Sequence, residues 1–290
     1  MDLICVGDVM MDVHVAAGAL ARGGDVHGTV RIVPGGTSAN VAAWAAWAGA
    51  QAAVVAAVGN DPAGRLLIGA LAERGVDVED VRQRDAPTGT MLVVTEAGGR
   101  SMVADRGANA LLAPEDLPES LEAGAVLVSG YLLLQEPTTR TGVAVMERAE
   151  TPLLAVEAAS WPLLDRFGPE RFFELTERAA VILANADEAR TLTGATGGAA
   201  AAALGERFRT AVVKRGDEGV FLSNDGRVSE HRADPAHEVD PTGAGDAFDG
   251  VFLGLLARGI EVSAAVERAC AAGALVASRS DMWPEEDPLW

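Results

Sequence analysis

The stretch VDPTGAGDAFDGVFLGLLARG, residues 239–259, places a glycine-rich turn directly before an aspartate and an apolar run with helical spacing. Gly243, Ala244 and Gly245 have almost no side chain, so their N–H groups at a helix start can face an anion beside Asp246. An anion cradle next to a carboxylate suits transfer of a phosphoryl group to an alcohol. The amides would hold phosphate charge that grows during transfer, while Asp246 takes the hydroxyl proton. Beside amide donors this carboxylate is expected to be ionised at neutral pH. An acid in a first helical turn also complements the helix dipole. The compact TGAGD context, with two glycines and no bulky residue before the acid, favours the chemical role.

Other residue sets carry chemistry at a distance from this turn. Asn185 and Glu188, in NADE after an apolar run, stand three residues apart on one face of an early helical turn. They suit orientation of a hydrated Mg2+ through water, and equally a capping box that satisfies helix N–H groups. Gly35 and Gly36 precede Thr37, Ser38, Ala39 and Asn40 at another helix start. The glycines permit a polyol to approach the backbone, and Asn40 offers both donor and acceptor to a hydroxyl; a plain loop and cap fits the same letters. Gly216 and Gly219 in KRGDEGVF suit a tight turn that leaves room for a flat ring. Lys214 is the only lysine of the chain, and an arginine follows it. A P-loop ending in Gly-Lys-Ser/Thr is therefore absent, as is a G-x-G-x-x-G turn after the first strand.

The elements that must position these groups alternate. Strand-like runs at Leu3 to Val6, Ala53 to Val58, Ala125 to Ser129, Leu153 to Val156, Val181 to Leu183 and Ala211 to Val213 are separated by helical stretches. Helices are expected at Ala39 to Ala48, Ala63 to Arg74, Thr138 to Ala149, Pro169 to Arg178, Asp187 to Thr193 and Ala264 to Ala277. This order predicts an α/β fold with a doubly wound, mostly parallel central sheet flanked by helices. Two segments break the rhythm: Val26 to Val33, and TMLVVTEAGGRSMVAD, which reads as a β-hairpin turning at Gly98-Gly99. They predict a small β lid formed by excursions at about residues 10–36 and 86–108. No linker divides residues 1–290, so one domain is expected. The alanine-rich run Gly197 to Ala203 reads as a surface helix.

Composition narrows the partners. A formal charge of −19 argues against a nucleic-acid or anionic-membrane surface, because those need clustered Lys and Arg. No apolar stretch reaches the ~20 residues needed to cross a bilayer and no signal-peptide pattern opens the chain, so an unexported, cytoplasmic protein is expected. Cys5 and Cys270 stand far apart, and His14, His27, His231 and His237 are scattered, which speaks against structural zinc.

DPTGAGDAF and PGGTSANVAAWAAWAG, residues 34–49, resemble the two signatures of the ribokinase-like, or PfkB-type, carbohydrate kinases in order and separation. The likeness extends over LICVGDVMMDVHV, ILANADEARTLTG and VVKRGDEGVFL, and leaves only the last ten or so residues unfamiliar. It implies an ATP-dependent sugar kinase that transfers the γ-phosphoryl to a hydroxyl, with ATP and Mg2+ as cofactors. By the same resemblance Asp12 holds substrate hydroxyls, Asn185 and Glu188 help place Mg2+, Gly216 and Gly219 border the adenine and ribose, and Thr242 belongs to the ATP site. Lys214 or Arg215 would meet the triphosphate. Glu136 falls where ribokinases carry a substrate-side glutamate. Arg106 in DRGAN replaces a small residue of AGAN; it suits a sugar carboxylate, the transferring phosphate, or a loop salt bridge.

Met10 stands where ribokinase has an asparagine, which weakens ribose as the substrate. Asp8 faces away from the site or merely ends its strand. Met10 with Trp44 or Trp47 would tolerate a nucleoside base, although tryptophans at i and i+3 commonly pack a core. A nucleoside and a 2-keto-3-deoxy sugar acid thus remain alternative acceptors, with a non-catalytic sugar sensor as a remote third reading. The closing run SRSDMWPEEDPLW lacks the usual glycine after a basic residue, which leaves K+ activation open. The family's lid implies a homodimer.

Overall fold

The structure is a computed structural model that describes residues 1–96, 99–233, 240–279 and 283. Its strands, in chain order, are β1 (Leu3–Val6), β2 (Met10–Ala16), β3 (Thr29–Gly35), β4 (Ala52–Gly59), β5 (Val81–Arg84), β6 (Thr90–Glu96), β7 (Gly99–Asp105), β8 (Leu121–Glu122), β9 (Ala125–Ser129), β10 (Ala149–Glu150), β11 (Leu153–Glu157), β12 (Val181–Asn185), β13 (Thr210–Lys214), β14 (Val220–Asn224) and β15 (Arg227–His231). The helices that matter most for the site are α1 (Thr37–Trp47), α2 (Pro62–Glu73), α3 (Gly130–Leu133), α4 (Thr139–Arg148), α5 (Trp161–Phe167), α6 (Pro169–Leu175), α7 (Ala186–Thr193), α8 (Gly197–Gly205), α9 (Ala244–Ala257) and α10 (Val262–Ala277).

The main sheet runs β15-β14-β13-β12-β11-β9-β1-β4-β5. From β13 to β5 all pairings are parallel, and β14 and β15 close one edge as an antiparallel meander. The parallel strands are nearly continuous apolar runs because both faces are covered. Along β9, Ala125 and Leu127 enter one core with α1, α9 and α10, while Val126 and Val128 enter the other. The expected doubly wound sheet is therefore present. Chain order reverses beside β1: β4 and β5 lie on one side, β9 and its successors on the other. Such a reversal opens a crevice beyond the strands' carboxyl ends.

A four-stranded sheet, ordered β3-β2-β6-β7, stands apart from the main one. Its strands fall within the two excursions that break the alternation, although the first strand starts at Thr29 rather than Val26. Of the hairpin's Gly98-Gly99 turn, Gly98 lies outside the described residues. By register, Asp12 is flanked by Val33 and Met91, and Met91 by Ala104, in a single cross-strand row. The neighbouring row, Ile32, Val13, Leu92 and Val103, points to the opposite face, because side chains alternate along a strand.

Three local differences from the sequence reading have plain causes. The edge strand β5 was hidden because VRQR carries no apolar alternation. The return strand β14 was hidden because the glycine turn before it reads as a loop. The alanine run forms α8, but Ala200, Ala201 and Leu204 are fully buried, so this helix covers the sheet rather than lying on the surface.

Candidate active site

A cavity of about 570 Å³ opens where the carboxyl ends of the parallel strands meet the small sheet. Asp8 and Met10 follow β1, Tyr131 follows β9, Glu157 ends β11, Asn185 ends β12 and Lys214 ends β13, and all line it. The small sheet contributes Asp12, Met91, Met102 and Ala104, and α1 contributes Gly36, Thr37 and Asn40. Thr242, Gly243, Ala244, Gly245 and Asp246 complete the wall. Residues separated by more than 200 positions are thus brought together.

Asp246 occupies the first turn of α9, whose N-cap is Gly243 at φ 82. The helix start leaves its first N–H groups without intrahelical partners; that of Ala244 donates to the Pro241 carbonyl at 3.2 Å, and Gly243, Ala244 and Gly245 line the cavity beside the Asp246 carboxylate. Asp246 Oδ2 accepts a 2.7 Å hydrogen bond from Asn40 Nδ2. Asn40 Oδ1 in turn accepts from Trp283 Nε1 at 2.6 Å. This chain requires α1 and α9 to pack closely. At Gly250 a Cβ would run into the Val41 carbonyl, so glycine there is what lets the helices approach. Asn40, read as a hydroxyl ligand, is therefore engaged at both ends of its amide and orients Asp246.

Burial pushes the Asp246 carboxyl up to about 6, with Asp249 adding to the rise and the Asn40 bond and Lys214 opposing it. At about 6 the carboxyl is still mostly ionised at neutral pH, as its place beside amide donors implies. The structure makes Asp246 a stronger base because few solvent dipoles remain to stabilise its charge. Asp12, nearly inaccessible, is pushed up to about 7 by burial and by the facing charge of Asp246.

At the other wall Asn185 and Glu188 form a reciprocal capping box. Asn185 Oδ1 accepts from the amides of Asp187 and Glu188 at 3.0 Å, and Glu188 Oε2 accepts from the Asn185 amide at 2.8 Å. Both residues also line the cavity, so capping and a role at the cavity are compatible. Glu188 is pushed up to about 7, first by burial. Glu157, which the sequence reading missed, is buried nearby; burial and then Glu188 hold it well above the usual carboxylate range. Its Oε2 has no hydrogen-bond partner among the described residues. The only signal for it was an acid at the end of an apolar strand, VE.

Lys214 Nζ donates to Asp249 Oδ2 at 2.6 Å. Arg215 turns out of the cavity, paired with Glu218 and Glu230 at 2.8 Å and stacked over Phe221. Of the two basic candidates, Lys214 is the one at the site. Gly216 and Gly219 border a smaller adjoining slot of about 120 Å³ with Phe248, Cys270, Gly273, Ala274 and Ala277, which suits a flat apolar ring. Thr242 folds back on Asp240, its Oγ1 donating to Oδ1 at 2.6 Å.

Three expectations at the acceptor end change. Asp8 does not face away: it lines the cavity and holds Arg106 in a bidentate pair, with Nε donating at 3.0 Å and Nη2 at 2.7 Å. Arg106 Nη1 also donates to Thr138 Oγ1 at 3.0 Å. Glu136 is exposed and outside the cavity, whereas its neighbour Gln135 lines it, because the chain bends at Pro137 before α4. Gly35 leaves room for protein, whereas Gly36 lies close to protein and also lines the cavity. A Cβ on Gly35 would collide with the Asp12 carboxyl, and one on Gly36 would stand 2.5 Å from the Asp8 carbonyl oxygen. Trp44 is buried in the core edge-on to Trp47, with ring centroids 4.9 Å apart, and neither lines the cavity. Of the closing run, only Ser278, Arg279 and Trp283 lie within the described residues.

An anion-accepting helix start beside a half-buried carboxylate, at the switch point of a parallel sheet, defines an α/β phosphotransferase with an alcohol group as acceptor. The chain belongs to the family described as pfkB family carbohydrate kinase, which it matches over residues 1–283. It is 32% identical over 257 residues to a fructokinase of Klebsiella pneumoniae, covering 81% of each chain. It is also 32% identical over 270 residues to a ribokinase of Mus musculus, covering 88% of this chain and 81% of that one. Among solved structures, a ribokinase from Thermotoga maritima superposes with a TM-score of 0.83 at 23% identity, covering 97% and 95% of the two chains. No helix among the described residues is long and apolar enough to cross a membrane.

Proposed function

We propose that this kinase transfers the γ-phosphoryl of ATP to a primary hydroxyl of a small, neutral sugar-like acceptor. The observation that carries the reading is the position of Asp246, which shares one cavity with the helix-start turn of Gly243 to Gly245 and with Asp12. Asp12 would accept hydrogen bonds from the acceptor's hydroxyls and hold one of them toward Asp246. As the acceptor oxygen bonds to the γ-phosphorus and the bond to the bridging oxygen breaks, that electron pair leaves with ADP and the hydroxyl proton passes to Asp246. The amides of Gly243, Ala244 and Gly245 would stabilise the equatorial oxygens. Thr242 borders the phosphates, and the slot lined by Gly216 and Gly219 would take the adenine.

Buried carboxylate oxygens on Glu157 and Glu188, with the Asn185 amide, suit water ligands of a hydrated Mg2+. Among the described residues no cluster of three acids, histidines or cysteines would ligate a metal directly. Bound there, Mg2+ would neutralise phosphate charge.

Neutrality of the acceptor follows from charge. The guanidinium at this end, Arg106, is already compensated by Asp8, and Asp12 and Asp246 would repel a carboxylate. A 2-keto-3-deoxy sugar acid is thus disfavoured. A nucleoside is the second reading, because Met10, Met91 and Met102 give the acceptor end an adaptable apolar wall. The small sheet would act as the lid. Its outer face exposes Val30, Ile32 and Val103 at 60%, 63% and 64%, a patch suited to a second copy of the chain. Val103→Asp would then convert a dimer to a monomer in size-exclusion chromatography. Cys5 and Cys270 are both buried and form no disulfide among the described residues, in keeping with a reducing cytoplasm.

The test is ADP release with Mg2+ and ATP over a panel of pentoses, hexoses, nucleosides and sugar acids. Turnover on neutral acceptors, at least about tenfold above that on acids, is the expected result, in line with the energy of an unpaired charge contact. Preference for an acid would overturn the neutral assignment, and turnover on none would overturn the kinase reading.

A further inference from the structure

Lys214, the only lysine of the chain, ends β13 with its side chain 15% exposed. Its partner Asp249 is wholly inaccessible and lies one helical turn after Asp246, on the same face of α9. A Cβ placed on Gly245 would stand 3.4 Å from Lys214 Nζ, so the ammonium faces the amide-bearing turn. Asp249 Oδ1 is buried and has no hydrogen-bond partner among the described residues. Stability alone does not explain such a pair, since well-packed apolar residues of similar volume serve a buried site as well or better. Its location does: Lys214 borders both the large cavity and the adjoining slot, between the phosphate cradle and the ring site.

We propose that Asp249 is a positioning residue for phosphoryl transfer, fixing the ammonium of Lys214 beside the Gly243 to Gly245 turn, where it meets the transferring phosphoryl group. The inference rests on the kinase reading above. Asp249 also decides where the lysine's charge goes. Glu157 and Glu188 compete for the same ammonium, and without Asp249 the flexible stem would be drawn toward them. Burial alone would lower Lys214, but Asp249, Glu157 and Glu188 together keep it above its ordinary range and therefore charged.

The pair also balances the base. Asp246 is faced by Asn40 from α1, Asp12 from β2, Tyr131 from α3, Glu157 from β11, Lys214 from β13 and Asp249 from its own helix. Lys214 opposes the raised basicity of Asp246 and Asp249 supports it, so removing either charge moves the base in opposite directions.

The experiment measures kcat, acceptor KM and the pH dependence of kcat/KM for full-length wild type, Asp249→Asn and Lys214→Met, with thermal melts to establish folding. Asp249→Asn is expected to lower kcat about tenfold or more, leave acceptor KM within about threefold, and move the acid limb down by about half a pH unit or more. Lys214→Met should move the limb up. A fall in kcat at near-constant acceptor KM, in a variant that melts like wild type, is not what a merely structural pair would give. A folded Asp249→Asn with unchanged kcat and acid limb overturns the inference. If Asp249→Asn does not fold, Lys214→Met is compared with the Lys214→Met/Asp249→Asn double variant. A lower acid limb in the double supports the inference and coincident limbs overturn it. Transfer by wild type with unmoved variants defeats this inference alone, whereas a wild type without transfer on any acceptor defeats the kinase reading as well.

Discussion

At the phosphate end of the cavity each group comes from the carboxyl edge of the main sheet or from the start of α9, whereas at the acceptor end Asp12, Met91 and Ala104 come from one row of the small sheet. The first end rests on parallel strands buried on both faces. The second rests on strands with one face exposed and on the pairing of Asp8 with Arg106 across 98 positions of sequence. On the proposed reading, phosphate chemistry is tied to the most deeply buried part of the fold, and acceptor recognition to a part with fewer covered contacts. Asp246 belongs to the first end, yet Asn40 and Asp12 reach it from the second, so it is the joint between them.

Substitutions that strain one end while sparing the other sharpen this contrast. Arg106→Met leaves Asp8 buried without its partner, and about 3–5 kcal/mol of stability should be lost. Urea unfolding checks this, and Asp8→Asn added to Arg106→Met should recover most of the loss. Asp12 should behave in the opposite sense. Its carboxyl is pushed up to about 7 in the folded chain, so its contribution is fully present below the unfolded value near 4 and disappears as pH rises through 7. Asp12→Asn should therefore be more stable than wild type at pH 8, by on the order of 2–4 kcal/mol, and equal to it near pH 4. Equal stability at both pH values would show that the Asp12 charge is not held at a cost. Smallest is the effect of Asn40→Ala. Loss of its bond should move the acid limb of kcat/KM upward and lower activity at pH 7.5 about tenfold. An unmoved limb would detach Asn40 from the base.

The same division governs what was legible in the sequence. TGAGD, NADE and the apolar strand runs are local patterns, and they located the parallel sheet and the two helix starts that line the cavity without long-range information. Asn40 was found as a polar residue at a helix start, but its engagement with Asp246 and Trp283 depends on the close packing of α1 on α9 at Gly250, which no local pattern encodes. Glu157 and Asp249 carry no motif, because an acid at a strand end and an acid in an apolar helix are ordinary letters until burial is known. Asp8 was misread for a related reason: its direction is set by Arg106. Glu136 and Gln135 differ by one position at a bend, where spacing gives no direction.

The most direct measurement is single-turnover phosphoryl transfer by Asp246→Asn beside wild type, with ATP affinity measured on both by calorimetry. The account predicts a loss of at least about 10³-fold in transfer with ATP affinity within about threefold, the signature of a missing base in an intact nucleotide site. Transfer within about tenfold of wild type would contradict the assignment of Asp246 as the base at the joint of the two ends.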